Sequence, residues 1–143
     1  MLIKKIFYIL LLSMLWAKDE LQPIGAFSIS RIHYGGGGDW YSDRSSIPNL
    51  LKFVAKNTDI ITESEQRVVK IGDNNFYSNS YFYMTGHGNI KLSKEEKIVL
   101  REHLINGAFL HADDNYGMDQ SFRILISDII PDKELIEIPP NHE

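Results

Sequence analysis

Apolar residues along the chain fall into short runs that are separated by glycine, proline and polar residues. Residues 27–34 and 81–85 are rich in aromatic and branched side chains, which is typical of strands. Residues 108–112 form a shorter, mostly apolar run that favours a buried strand. Weaker candidates for strands are residues 59–62, 67–71 and 134–138.

Helical spacing of apolar residues is found in three other segments, which are residues 46–56, 93–106 and 118–130. The second of these segments has a signal at each end. Ser93 and Glu96 fit a capping box, and Gly107 supplies a residue that readily ends a helix. Because strands and helices alternate, the pattern predicts an α/β domain whose mostly parallel sheet carries helices on both faces.

Composition narrows the classes of function. The chain has 143 residues, 43% of them hydrophobic and 24% charged, which are ordinary values for one globular domain. The net charge is −4, and basic residues cluster only at the N-terminus, which argues against a nucleic-acid partner. The chain has no cysteine, so disulfides, thiolate zinc ligands and a cysteine nucleophile are all excluded.

The first 17 residues have the pattern of a secretory signal peptide. Lys4 and Lys5 precede an uncharged apolar run over residues 6–16, and Ala17 is a small residue at a plausible cleavage point. The run is short for a membrane span, which needs about 20 apolar residues. The pattern predicts an exported, periplasmic protein. Residues 18–26 are then a linker, and residues 27–143 form a single α/β domain.

The N-terminal pattern leaves two alternatives open. Leu15 is larger than the residue usually found near a cleavage site, so an uncleaved membrane anchor with the domain facing the periplasm is the first alternative. A buried N-terminal helix is the second. In the case of export, membrane contact is expected only through the N-terminal segment.

Polar segments follow three of the predicted strands. They are a glycine-rich loop at residues 35–40, a Gly-His-Gly turn at residues 86–88, and an acidic pair at residues 113–114. The carboxyl ends of parallel strands lie at one edge of a sheet, where ligands bind in open α/β folds. The side chains expected to meet in one cleft are those of Asp39, His87, Asp113 and Asp114.

The glycine-rich loop does not match a phosphate-binding motif. It lacks the Gly-Lys-Ser/Thr ending of a P-loop and the Gly-x-Gly-x-x-Gly spacing, and Asp39 would repel an anion. One interpretation is a binding loop in which Asp39 accepts hydrogen bonds and Trp40 offers a flat face to a sugar or a peptide. The alternatives are a tight turn, or a loop that Asp39 holds closed by bonding backbone N–H groups.

Histidines and acids also have competing interpretations. His87 lies between two glycines at a strand end, unlike a core histidine among bulky neighbours, which favours a role in a site. Asp113 and Asp114 are candidates for the site, but both also suit the cap of the following helix. His103 and His111 are expected to be structural or exposed.

The chain resembles a bacterial family known only as a domain of unknown function, number 4159. The segments that carry the resemblance are residues 31–41 (RIHYGGGGDWY), 47–51 (IPNLL), 84–88 (MTGHG) and 107–114 (GAFLHADD). The resemblance covers most of the chain from residue 27 to residue 142. Members of this family are generally longer, so the resemblance implies that this chain is truncated or a fragment.

That family in turn looks like a branch of the class I glutamine amidotransferase-like fold, which implies a flavodoxin-like parallel sheet. In working amidotransferases a cysteine lies at the turn after a central strand. The comparable turn here holds Asp113 and Asp114, and the chain has no cysteine. The resemblance therefore implies the fold without the amidotransferase chemistry.

Two functions remain open, and the sequence does not decide whether the protein is an enzyme. The favoured one is a non-catalytic domain that binds a small molecule or an envelope protein; its expected ligand-binding residues are Gly36, Gly37, Gly38, Asp39, Trp40, Gly86, His87 and Gly88. The alternative is a metal-assisted hydrolase with zinc, manganese or iron, in which His87 is a base or ligand beside Asp39, Asp113 and Asp114. Neither a His-x-x-x-His spacing nor a Gly-x-Ser-x-Gly elbow is present, which favours binding. The sequence identifies no cofactor.

Overall fold

The computed structural model describes residues 25–142. Its strands are β1 (Ser30–Ile32), β2 (Arg67–Val69), β3 (Tyr81–Gly86) and β4 (Phe109–Asp114). Its helices are α1 (Ser46–Asn57), α2 (Lys94–Ile105) and α3 (Asp119–Ile129). The predicted signal peptide and most of the predicted linker lie outside the described residues. Between residues 25 and 142, no helix is long and apolar enough to cross a membrane.

The four strands form one sheet in the order β2-β1-β3-β4, and every pair is parallel. The chain therefore leaves β1 towards one edge of the sheet and returns to β3 and β4 on the other side. This confirms the predicted α/β class with a parallel, flavodoxin-like sheet. β4 pairs with β3 along its whole length, from Tyr81 opposite Phe109 to Gly86 opposite Asp114.

Side chains alternate along each strand, so each face of the sheet carries apolar side chains, and helices cover both faces. On one face, α1 packs Ile47 and Leu51 against Ile29 and Tyr83. On the other face, α2 and α3 cover the larger core. The buried members of that core include Ile32, Phe82, Met84, Leu100, Leu125 and Ile129.

Local sequence signals explain where α2 begins and ends. The backbone N–H of Glu96 donates to Ser93 Oγ at 3.1 Å, and the N–H of Ser93 donates to Glu96 Oε2 at 2.6 Å. The predicted capping box is therefore confirmed. Gly107 follows the helix with φ of 101°, a left-handed conformation that glycine adopts without a steric penalty.

Several predicted strand limits were wrong. Residues 27–34 contribute only three strand residues, and residues 59–62 make a single bridge between Thr62 and Phe27. β4 continues through Asp113 and Asp114, because both residues pair with β3, so the acids belong to the strand. Residues 134–138 form no strand. Their apolar pattern suits a strand, but strand formation also requires a neighbouring strand, and these residues have none in the described structure.

Candidate functional site

The polar segments after β1 and β3 meet where the order of strands reverses. β1 and β3 are neighbours in the sheet, but β1 leads to β2 on one side and β3 leads to β4 on the other. The glycine-rich loop follows β1, and the Gly-His-Gly turn begins with the last residue of β3. In open parallel sheets, the crevice at such a reversal is where ligands bind.

Asp39 and His87 bridge this crevice. Asp39 Oδ2 lies 2.8 Å from Nδ1 of the His87 ring, and Asp39 Oδ1 accepts the backbone N–H of His87. The His87 side chain is 54% exposed and that of Asp39 is 30% exposed. Because Asp39 engages Nδ1, the ring nitrogen Nε2 is the one left for a further partner. The structure thus brings together two of the four side chains predicted to share a cleft.

The electrostatics of the pair favour an ionised Asp39. The backbone N–H of His87, and then its ring, hold the pKa of Asp39 below its ordinary value of 3.8. A lowered pKa in the folded state stabilises the fold above pH 3.8, and this stabilisation is lost as the pH falls through the folded-state pKa.

We therefore expect Asp39→Asn to be less stable than the wild type at neutral pH, and the two to converge in acid below pH 3.8. Urea unfolding of both proteins at a series of pH values measures this difference. In a His87→Ala background the pH dependence should be weaker, because one of the two stabilising bonds is lost. A constant difference across the acid range would contradict the assignment.

Glycines at the site let the loop lie directly against the strand ends. A Cβ atom on Gly36 would lie 2.8 Å from the backbone oxygen of Asn89, and one on Gly38 would lie 2.8 Å from the Tyr34 ring. A Cβ on Gly86 would overlap the Tyr34 hydroxyl and lie 3.1 Å from Asp39. These glycines therefore have a packing role, whether or not they also contact a ligand as predicted.

Arg31 fixes the course of the loop that carries Asp39 and Trp40. Its buried guanidinium donates to the backbone carbonyls of Trp40 at 3.0 Å, Ser42 at 2.6 Å and Asp43 at 3.0 Å. It also donates to Gln66 Oε1 at 2.7 Å. Burial lowers the pKa of Arg31 from its ordinary value, and the guanidinium stays charged, as arginine does in proteins. The sequence pattern shows this residue only as a charge within the apolar run of residues 27–34.

Trp40 is less available for contact with a ligand than the sequence predicted. Its ring stacks on His33, with ring centroids 4.1 Å apart and planes inclined by 23°. The side that faces His33 is therefore covered, and Trp40 is half-buried. Only the remaining surface of the ring is free to contact a ligand.

The acidic pair lies at the same edge of the sheet, but its carboxylates have other partners. Asp113 Oδ2 accepts the Tyr83 hydroxyl at 2.8 Å. Asp114 accepts the backbone N–H groups of Tyr116 and Met118, both at 2.8 Å, and that of Asp119 at 3.2 Å. These bonds, led by the one from Met118, lower the pKa of Asp114. Asp114 thus accepts N–H groups of the turn that leads into α3 and of its first residue, Asp119, while the N-cap position of α3 is Met118.

Side-chain alternation explains why the four predicted residues do not form one cluster. Asp113 shares a face with Tyr83 and His111 within β4 and β3, so its carboxylate turns towards that face. Within residues 25–142, no group of three histidine or acidic side chains could hold a metal ion. The arrangement required by the metal-assisted hydrolase is therefore not formed by these residues.

The two histidines predicted to be structural or exposed lie away from this crevice. His103 Nε2 is 2.9 Å from the carbonyl oxygen of Asn79, and its ring packs on Phe76 and Phe82. His111 Nδ1 is 3.3 Å from the Tyr81 hydroxyl on the face of the sheet. Both positions fit the structural role expected of them.

A cavity of about 680 Å³ lies at the opposite end of the strands from this crevice, near the amino ends of β1, β2 and β3. Residues 25–28, 59–61 and 78–80 line it together with Arg67. None of the predicted site residues takes part. Cavity size alone would therefore point to the amino ends of the strands, whereas the predicted site lies at their carboxyl ends.

Asn115 is a further residue that the sequence did not single out. Its side-chain amide donates to Ser42 Oγ at 3.2 Å and to the carboxylate of Asp43. It thus joins the segment after β4 to the segment after the glycine-rich loop. No signal in the sequence distinguishes this asparagine from an ordinary loop residue, because the contact spans 72 positions.

Comparison with known families confirms the predicted resemblance to a domain of unknown function. The model of the family described as "Domain of unknown function (DUF4159)" matches residues 28–143. A comparison with curated proteins finds no match. The implied relation to glutamine amidotransferases stays a prediction. Since the family model covers most of the chain, the protein belongs to the DUF4159 family.

Proposed function

We propose that the protein is a non-catalytic binding domain that takes a small polar ligand, or a segment of a partner protein, at the Asp39–His87 surface. The observation that carries this proposal is the position of the pair. It joins the two loops that flank the reversal of strand order. That crevice is the usual ligand site of open parallel sheets.

The chemistry of the pair supports binding over catalysis. Within the described residues, the hydrogen bonds of the His87 ring involve Asp39 alone, so no hydroxyl is aligned as a nucleophile beside it. An imidazole oriented by a carboxylate offers Nε2 as a fixed acceptor, or as a donor when it is protonated. Trp40, the residue after Asp39, is half-buried and offers its uncovered surface as an apolar contact. This combination suits a sugar or a short peptide.

Nuclear magnetic resonance of the labelled protein tests the proposal. N-acetylglucosamine, glucose and a dialanine peptide are titrated separately, and chemical-shift changes are mapped onto the sequence. We expect at least one probe to move the His87 ring signals and the Trp40 indole signal together. His87→Ala should weaken that binding by roughly fivefold, because a hydrogen bond to a site residue contributes about 1 kcal/mol.

His111→Ala is the matched control, because it removes a histidine from the same sheet at a distance from the crevice, and its affinity should equal that of the wild type. Shifts confined to residues 59–61 and 78–80 would instead assign binding to the opposite edge. No shift at His87 with any probe would count against the proposal.

We also propose that the domain acts outside the cytoplasm. Lys4, Lys5 and the apolar run over residues 6–16 support export, with cleavage after Ala17 or retention as an anchor. Fractionation of a bacterial host, with mass analysis of the purified N-terminus, distinguishes the cleaved from the anchored form. Recovery only from the cytoplasm would reject both.

A further inference from the structure

The outer edge of β4 is open in the described structure. β4 ends the sheet and pairs with β3 through all six of its residues. Edge strands usually carry lysine, proline or a bulge that prevents pairing with another chain. The first four residues of β4 read Phe-Leu-His-Ala and include none of these features, and Phe109 is 57% exposed. Only the acidic pair at its far end discourages an added strand.

A second segment of the chain has a strand-like sequence but pairs with no strand in the described structure. Residues 134–138, here called the tail segment, read Glu-Leu-Ile-Glu-Ile and form no strand. Leu135 is 51% exposed, Ile136 is 83% exposed and Ile138 is 67% exposed. Three large apolar residues in four positions are exposed together. Such a cluster marks an interaction surface more often than scattered surface residues do.

The tail segment is not at the β4 edge of its own chain. Lys133, Glu134 and Leu135 share a shallow groove with α3, which they line together with Arg123, Ile126 and Ser127. The β4 edge and the tail segment are therefore both exposed on the same molecule, and neither pairs with a strand there. In two copies of the chain, each tail segment can pair with the β4 edge of the other copy.

We propose that two copies associate in this way, each adding its tail segment as a parallel fifth strand to the β4 edge of the other. Addition of a strand to an exposed sheet edge is a known mode of recognition, and a reciprocal exchange closes a two-fold dimer. The proposal concerns a different surface from the Asp39–His87 crevice and does not depend on it.

The pattern of side chains selects one register. Placing residue 136 beside residue 110 puts Ile136 and Ile138 on the face of Leu110 and Ala112, which pack against the larger core. On the other face, Leu135 then lies beside Phe109 and Glu137 beside His111. A shift of one residue would place Glu137 on the core face. A shift of two would place it beside Phe109 or beside the carboxylate of Asp113.

Sedimentation velocity of the purified full chain tests the association. We expect a dimer whose population rises with concentration, and Ile136→Asp should return it to a single copy. Ile124→Asp is the matched control, because Ile124 is a similarly exposed isoleucine on α3, at 56% exposure, and the variant should remain a dimer. A wild-type chain that stays a single copy at all concentrations would overturn the proposal. An equal loss of the dimer in both variants would also overturn it.

Disulfide trapping tests the register, since the chain has no cysteine of its own. Adjacent strands lie about 4.8 Å apart, within the Cα separation that a disulfide spans. The double variant Phe109→Cys with Leu135→Cys should form a covalent dimer under mild oxidation. Leu135→Cys with Asp113→Cys, which would pair in an antiparallel arrangement or in a parallel one shifted by four residues, should not. A disulfide within a single chain, or no disulfide in the first variant, would contradict exchange between copies.

Discussion

Replacing Arg31 with alanine should lower the free energy of unfolding by about 3 kcal/mol, because several backbone carbonyls would lose their donor at once. The guanidinium holds the carbonyls of Trp40, Ser42 and Asp43, and it is 1% exposed. A partly buried carbonyl without a partner costs about 1–3 kcal/mol, and water can replace some of the lost bonds. The loop that carries Asp39 should loosen together with the fold.

Urea denaturation of the variant measures this loss, and Arg44→Ala is the matched control. Arg44 is exposed in the same loop, so its removal should change stability by less than about 0.5 kcal/mol. Arg31→Lys should be intermediate, since an ammonium keeps the charge but cannot span three carbonyls with a planar fork. Equal stability of Arg31→Ala and Arg44→Ala would show that the loop holds its course without the guanidinium.

The α/β class could be predicted because it depends on local signals that the chain repeats. The alternation of aromatic strands with capped helices determines the layers, and the capping box of Ser93 and Glu96 sets the start of α2 to the residue. Strand lengths could not be predicted so well. A strand extends only as far as its neighbour pairs with it, which is why β1 is short and residues 134–138 remain outside the sheet.

The site could be predicted only to the level of a shared edge. Parallel strands bring their carboxyl ends together, and the contact between Asp39 and His87 follows from that rule once the loop turns back over β3. The directions of Asp113 and Asp114 depend instead on where β4 ends. Because β4 pairs for two further residues, the Asp113 side chain turns towards Tyr83, and Asp114 accepts N–H groups at the start of α3.

The role of Arg31 shows what sequence patterns leave out. A charged residue within an apolar strand signals a buried group with several partners, since an unpaired buried charge is strongly unfavourable. The identity of those partners was not predictable. Three of them are backbone carbonyls 9 to 12 positions away, which any sequence in that loop would present, and a fourth is the side chain of Gln66, 35 positions away.

Replacing Gly86 with alanine should destabilise the protein by about 2–5 kcal/mol and disrupt the Asp39–His87 contact. Two effects add. Gly86 has φ of 141°, and left-handed backbone costs an L-residue about 1–2 kcal/mol. Its added Cβ would also overlap the Tyr34 hydroxyl, and forcing extra atoms into a packed region costs about 1–3 kcal/mol.

Gly72→Ala separates these two effects, because Gly72 has φ of 89° with nothing within 4 Å of the added Cβ. It should lose only the backbone contribution of about 1–2 kcal/mol and leave the site intact. Urea unfolding gives both losses, and the His87 ring signals report the contact with Asp39. Equal losses in the two variants, with unchanged His87 signals, would show that the contacts of Tyr34 and Asp39 with Gly86 do not hold the site together. A larger loss in Gly86→Ala with shifted His87 signals would show that these contacts also position the His87 imidazole.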